Sequence, residues 1–202
     1  MRIGGLQKLS LIDYPGKLAA VIFTQGCNFR CPYCYNAQLV LPEKFREPLA
    51  QADVFEFLQG RKEYLQGVVV TGGEPTQQAD LISFLDKIRQ MGYLVKLDTN
   101  GSHPQILKKI IALKLINFIA MDVKAPLDKY MKLAGVSVPL DNIRESIQII
   151  LNSDIAYQFR TTVVKSLLAL QDIKKIVFLL NGTGNYVLQQ FRPSEKILDK
   201  NL

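Results

Sequence analysis

The sequence is short of cysteine, histidine and long apolar runs. Its 202 residues hold three cysteines and one histidine. The cysteines are odd in number and crowded into positions 27–34. That excludes a disulfide framework, which spreads cysteines along the chain and pairs them. No apolar run approaches the roughly 18 residues that a membrane span needs, so no membrane association is expected. The N-terminal stretch MRIGGLQKLSLIDYPGK lacks both a continuous apolar segment and a small-residue cleavage site. No signal peptide is therefore expected, and the expected location is cytoplasmic. There is no internal repeat, low-complexity tract or linker, and the length suits a single domain over 1–202.

What is present is an ordinary globular composition. Hydrophobic residues make up 48% and charged residues 21%, enough for a full core and unlike a disordered or fibrous chain. The formal net charge is +7. The basic residues are scattered, as at Lys108–Lys109 and Lys174–Lys175, without interleaved aromatics. This pattern suits a solvated basic surface and an anionic partner better than a nucleic-acid interface.

Six short apolar runs read as strands: Ala19–Thr24, Val68–Thr71, Tyr93–Leu97, Asn117–Met121, Ala156–Val164 and Tyr186–Gln190. Their continuity suits a parallel sheet. Between them, apolar residues recur at helical spacing. The sets are Leu81, Ile82, Leu85, Ile88; Ile106, Leu107, Ile110, Ile111; Ile143, Ile147, Ile150, Leu151; and Ile173, Ile176, Val177, Leu180. Gly92 and Gly182 stand where C-cap glycines belong, and Ala50–Leu58 is a further helix candidate. Alternating strands and helices predict an α/β fold built from βαβ units. A closed eight-unit barrel typically takes about 250 residues. About six units fit here, which predicts a partial, open parallel β/α barrel. The polar, glycine-rich segments all follow strands, where such sheets bind ligands.

The cysteines read Cys27-Asn-Phe-Arg-Cys31-Pro-Tyr-Cys34. Short spacing lets one loop wrap an iron–sulfur cubane. With three thiolates in the whole chain, one iron of a [4Fe–4S] cluster would lack a cysteine, leaving an open coordination site. Other readings stay open on the residues alone: structural zinc completed by His103, a simple electron-carrier cluster, or inert buried thiols.

The CxxxCxxC spacing, with aromatic Tyr33 before the last cysteine, resembles the signature of the radical S-adenosylmethionine (SAM) superfamily. The resemblance implies a cluster held by Cys27, Cys31 and Cys34, with SAM chelating the fourth iron. Reductive cleavage of SAM then yields methionine and a 5′-deoxyadenosyl radical that abstracts hydrogen from the substrate. Gly72-Gly73-Glu74-Pro75 resembles the element that binds the SAM amino group. Asp98-Thr99-Asn100-Gly101 and Asp122-Val123-Lys124 resemble two further elements of glycyl-radical-enzyme activases. In those enzymes the aspartates and threonine lie near the SAM carboxylate and a monovalent cation, and the lysine contacts SAM. Arg160, inside a strand, must be paired or face a cavity; it resembles the arginine that meets SAM or the substrate's glycyl loop.

The segments 3–16 and 21–34, with Gln189-Gln190-Phe191-Arg192-Pro193, closely resemble anaerobic ribonucleoside-triphosphate reductase activating proteins. The resemblance implies a radical SAM oxidoreductase that installs a glycyl radical on the reductase, with flavodoxin or ferredoxin as electron donor. Pyruvate formate-lyase activase, which carries a late histidine absent here after His103, is one rival. Activases of other glycyl radical enzymes, a small-molecule radical SAM enzyme such as a deazapurine carboxylate synthase, and an iron–sulfur electron carrier are the others.

Overall fold

The computed structural model describes residues 1–195, 197–200 and 202. Its strands form one seven-stranded sheet in chain order: β1 (Ile3–Ser10), β2 (Ala19–Thr24), β3 (Gly67–Gly72), β4 (Leu94–Thr99), β5 (Phe118–Asp122), β6 (Ala156–Val163) and β7 (Tyr186–Gln190). Strands β2 to β7 are all parallel. β1 runs antiparallel to β2. β1 and β7 are the two edges and do not pair with each other, so the barrel stays open. The six expected strands are the six parallel ones. β1 was not anticipated. It is an edge strand with mostly part-exposed residues and two glycines, so it lacks a buried strand's apolar run.

The helices are α1 (Ala37–Val40), α2 (Gln51–Gln59), α3 (Leu81–Gln90), α4 (Pro104–Ala112), α5 (Tyr130–Ala134), α6 (Leu140–Leu151) and α7 (Leu170–Leu179). Positive φ at Gly92 and Gly182 follows α3 and α7, as expected of C-cap glycines. No helix among the described residues is long and apolar enough to cross a membrane.

Strand side chains alternate between two faces. On the convex face Val68, Val70, Val95, Leu97, Ile119 and Met121 meet helix residues such as Leu85, Ile88, Leu107, Ile110 and Ile147. On the concave face Ala19, Val21 and Val69 form a smaller cluster with Tyr14, joined by Phe23, Leu94 and Phe118. Tyr14 comes from the turn between β1 and β2. Its ring lies 6.0 Å from that of Phe118 and packs where any Cβ on Gly67 would stand. It plugs the end of the barrel at which the parallel strands begin. The turn is held by Ser10, whose hydroxyl donates to Asp13 Oδ2 (2.5 Å) and accepts from the Asp13 amide (3.2 Å).

Candidate active site

At the other end of the same face the strands finish in a cavity of about 270 Å³. It is lined by Cys27, Cys31, Cys34, Tyr33, Gly72, Gly73, Glu74, Asp98, Thr99, Asn100, Asp122, Lys124 and Arg160, among others. Of the residues predicted for the site, only Pro75 is outside this lining. It is buried and opens the 3-10 turn Pro75–Gln77 that follows Glu74. Thr162 and Gln189, cross-strand partners on β6 and β7, extend the wall to the open edge.

The three cysteines are free thiols around one cavity, Cys31 buried and the other two half-buried. Burial pushes the Cys27 thiol up to about 12 and the Cys31 thiol to about 11, the latter against the pull of Lys124. Loading iron must therefore displace protons. Among the described residues no three His, Cys, Asp or Glu side chains gather on a single metal-ion position. Thiolates spread around a cavity suit a cubane, in which each takes a separate iron. His103 does not line the cavity, and its Nδ1 contacts Thr76 and Ser102 instead, so nothing joins it to the thiols in a zinc site.

The cysteine loop is braced by its neighbours. Arg30 donates to the Cys27 carbonyl (2.5 Å) and the Phe29 carbonyl (2.8 Å), and its amide donates to Ala134 at the end of α5 (2.7 Å). The segment after β7 folds back onto the loop. The Leu198 amide donates to the Cys34 carbonyl (3.1 Å) and the Asp199 amide to that of Pro32 (2.8 Å). The Tyr35 hydroxyl donates to the Arg192 carbonyl (2.7 Å) and accepts from the Arg192 amide (2.8 Å).

Glycine at positions 72 and 73 is demanded by the protein itself. A Cβ at Gly73 would lie 2.0 Å from the Gly26 carbonyl oxygen, and one at Gly72, where φ is +116°, 2.3 Å from the Thr24 nitrogen. These glycines let β3 close against the chain that leads into Cys27. The Gly73 amide donates to Thr24 (2.8 Å) and the Glu74 amide to Gly26 (2.7 Å).

Glu74 is fully buried and bound from four directions. Its Oε1 accepts from the Thr76 amide (3.1 Å), the Thr76 hydroxyl (2.5 Å) and the Thr99 hydroxyl (2.7 Å); its Oε2 accepts from the Asn100 amide (2.7 Å). Burial raises its pKa, and these donors oppose the rise. The carboxylate thus ties the loop after β3 to the loop after β4.

Below Glu74 lies an ionic ladder. Lys96 Nζ donates to Asp98 Oδ1 (2.5 Å), and Arg160 reaches Asp98 Oδ2 (3.0 Å) and Asp122 Oδ1 (2.8 Å). Lys124 Nζ completes it at Asp122 Oδ2 (3.0 Å). Burial works against the Asp122 carboxylate, but Arg160 and Lys124 outweigh it and hold its pKa well below the usual range. Asp122 and Arg160 are cross-strand neighbours on β5 and β6; Asp98 is one strand further, across the small Ala120. Of these groups Asp98, Asp122, Lys124 and Arg160 line the cavity, while Lys96 lies beneath it; Lys124 and Arg160 are the cations that can meet an anionic group. All four carboxylate oxygens already accept from basic side chains, so a monovalent cation there would have to displace one of them. Lys96 was not singled out from the sequence. Its signal was a lysine two residues before Asp98 in an otherwise apolar strand, where a buried charge needs a partner.

The Tyr33 hydroxyl is buried beside the cavity without a hydrogen-bond partner among the described residues. An unpaired buried hydroxyl is a cost that a bound ligand can remove.

Residues 21–180 match the radical SAM superfamily. The protein is therefore a radical SAM enzyme, of a class that uses a [4Fe–4S] cluster and SAM. Three free thiols without a fourth cysteine fit the cluster, and the unpaired Tyr33 hydroxyl with the Lys124 and Arg160 cations fits SAM. A Methanocaldococcus jannaschii protein named as a glycyl-radical enzyme activating enzyme is 34% identical over 96% of this chain and 81% of its own length. Within the superfamily, then, the chain belongs to the glycyl-radical-enzyme activases. The pyruvate formate-lyase-activating enzyme of Listeria monocytogenes is 31% identical over 67% of this chain, which spans 58% of that relative. The fold resembles that of Streptococcus suis SuiB bound to S-adenosylmethionine. There the TM-score is 0.65 and the identity 18%, over 89% of this chain and 42% of that one.

Proposed function

We propose that this protein installs a glycyl radical on anaerobic ribonucleoside-triphosphate reductase. The observation that carries the chemistry is the convergence of Cys27, Cys31 and Cys34 on a cavity whose floor presents the Lys124 and Arg160 cations. The bound cluster and SAM supply reductive cleavage of the sulfonium and a hydrogen-abstracting 5′-deoxyadenosyl radical.

The chain's own residues bind and orient. The three thiolates hold the cluster. Glu74 Oε2, with a single donor, has capacity left to accept from the SAM ammonium. Lys124 and Arg160, held by Asp98 and Asp122, attract the carboxylate end. Tyr33 offers its unpaired hydroxyl to the adenosine, and Thr99 and Asn100 hold the Glu74 cradle. Water is excluded from beneath by the apolar layer around Tyr14. The gap beside β7 leaves room for a glycine-bearing loop of a protein substrate. A net charge of +7 suits a small acidic electron donor, flavodoxin or ferredoxin.

The reductase is preferred as partner because of segments 3–16 and 189–193. Likeness to pyruvate formate-lyase-activating enzymes favours a second reading, with that lyase as substrate. Anaerobic reconstitution, reduction and SAM addition should change the cluster's EPR signal and release 5′-deoxyadenosine. The glycyl doublet should then grow on purified reductase and not on pyruvate formate-lyase. The reverse preference would establish the second reading, and a cluster indifferent to SAM would sink both.

A further inference from the structure

The Glu74 cradle continues outward to the chain's single histidine. His103 stands immediately before α4, partly exposed. Its Nδ1 lies 2.9 Å from Thr76 Oγ1 and 3.1 Å from Ser102 Oγ. The protons along this chain can be counted. Thr76 has one hydroxyl hydrogen, and at 2.5 Å from Glu74 Oε1 it goes to the ionised carboxylate. Thr76 Oγ1 can then only accept from the imidazole, so Nδ1 must carry a proton. A bare Nδ1 would set two lone pairs against each other at 2.9 Å. Ser102 Oγ in turn accepts from Asn28 Nδ2 (2.8 Å), and Asn28 directly follows Cys27. One imidazole N–H thus stands between the carboxylate cradle and the cysteine loop.

We propose that His103 is a positioning residue for SAM: as an Nδ1–H donor it aims the Thr76 hydroxyl at Glu74 Oε1 and so keeps Oε2 available for the cofactor's ammonium. This rests on Glu74 receiving the amino group, as proposed above. The load is uneven in the direction required, with three donors on Oε1 and one on Oε2.

Two measurements test it. With one histidine in the chain, ¹⁵N spectra of histidine-labelled protein read a single ring, without assignment. The Nδ1–H tautomer is expected near neutral pH, and an Nε2–H tautomer overturns the proposal. The second is the SAM dissociation constant of reconstituted variants. His103→Asn keeps an N–H close to the Nδ1 position and should bind within about threefold of the unaltered chain. His103→Gln and His103→Leu lose that donor and should bind about tenfold more weakly. All three should release 5′-deoxyadenosine at an unchanged rate once SAM saturates. Unchanged affinity in His103→Leu, or equal weakening in all three, overturns the proposal. Should the leucine variant fail to fold, the tautomer decides the matter on the unaltered chain. Neither readout involves the protein partner, so failure to activate the reductase leaves this test intact. A chain that binds SAM but ignores residue 103 overturns only this inference.

Discussion

The two ends of the concave face are made by the same strands and do opposite things. On β4 the inward residues are Leu94, Lys96 and Asp98. Two steps, about 13 Å of strand, lead from an apolar cluster to an ionic ladder. On β5 the series is Phe118, Ala120 and Asp122. The starting ends of the strands are closed by Tyr14 within an apolar cluster. The finishing ends hold five charged groups in one network. The six parallel strands permit this division because all of them finish at the same rim. On this face, apolar packing thus sits at one end and chemistry at the other.

The division can be broken by substitution. The largest effect belongs to the cysteines: alanine at 27, 31 or 34 should abolish both the iron–sulfur absorbance and SAM cleavage. A variant of any of the three that kept an intact cluster would remove that cysteine from the ligand set. Next come the ladder residues. Arg160→Lys cannot span Asp98 and Asp122 at once and should lower 5′-deoxyadenosine formation about 10- to 100-fold. Its unfolding free energy should fall by no more than about 2 kcal/mol, since the group faces the cavity. Tyr14→Ala should do the reverse. Emptying the plug should cost about 3 kcal/mol in denaturant unfolding while leaving SAM affinity within about twofold. If Tyr14→Ala weakened SAM binding as strongly as Arg160→Lys does, the two ends would not be separable.

The smallest effect is a pH dependence with two signs. Glu74 titrates above an ordinary glutamate, near 4.3, because it is buried. Between the ordinary and the raised value the folded chain binds more protons than the unfolded one. Acidifying through that window should stabilise the cofactor-free fold at this site. It should also weaken SAM binding, because the protonated carboxyl no longer draws an ammonium. Parallel falls in both quantities would mean that another group governs the response.

Much of this was readable in the sequence, for physical reasons. The six parallel strands are buried, so their residues form apolar runs. The cysteine loop declares itself by spacing, because only a few residues can wrap a cluster. β1 was hidden because half of an edge strand faces water. Tyr14 was hidden for another reason: it acts through contacts with Gly67 and Phe118 on other strands. The glycines at 72 and 73 were visible as part of a SAM-binding element, but the close contacts that demand them, with Thr24 and the Gly26 carbonyl, were not. Tertiary proximity of that kind leaves no local pattern.

The brace between the cysteine loop and the segment after β7 bears on how the enzyme matures. Tyr35 and Arg192 lie 157 positions apart, yet they share two hydrogen bonds beside the last cysteine. During translation the thiols emerge long before these partners do. The loop therefore gains its last brace only after residues 192–199 have been made.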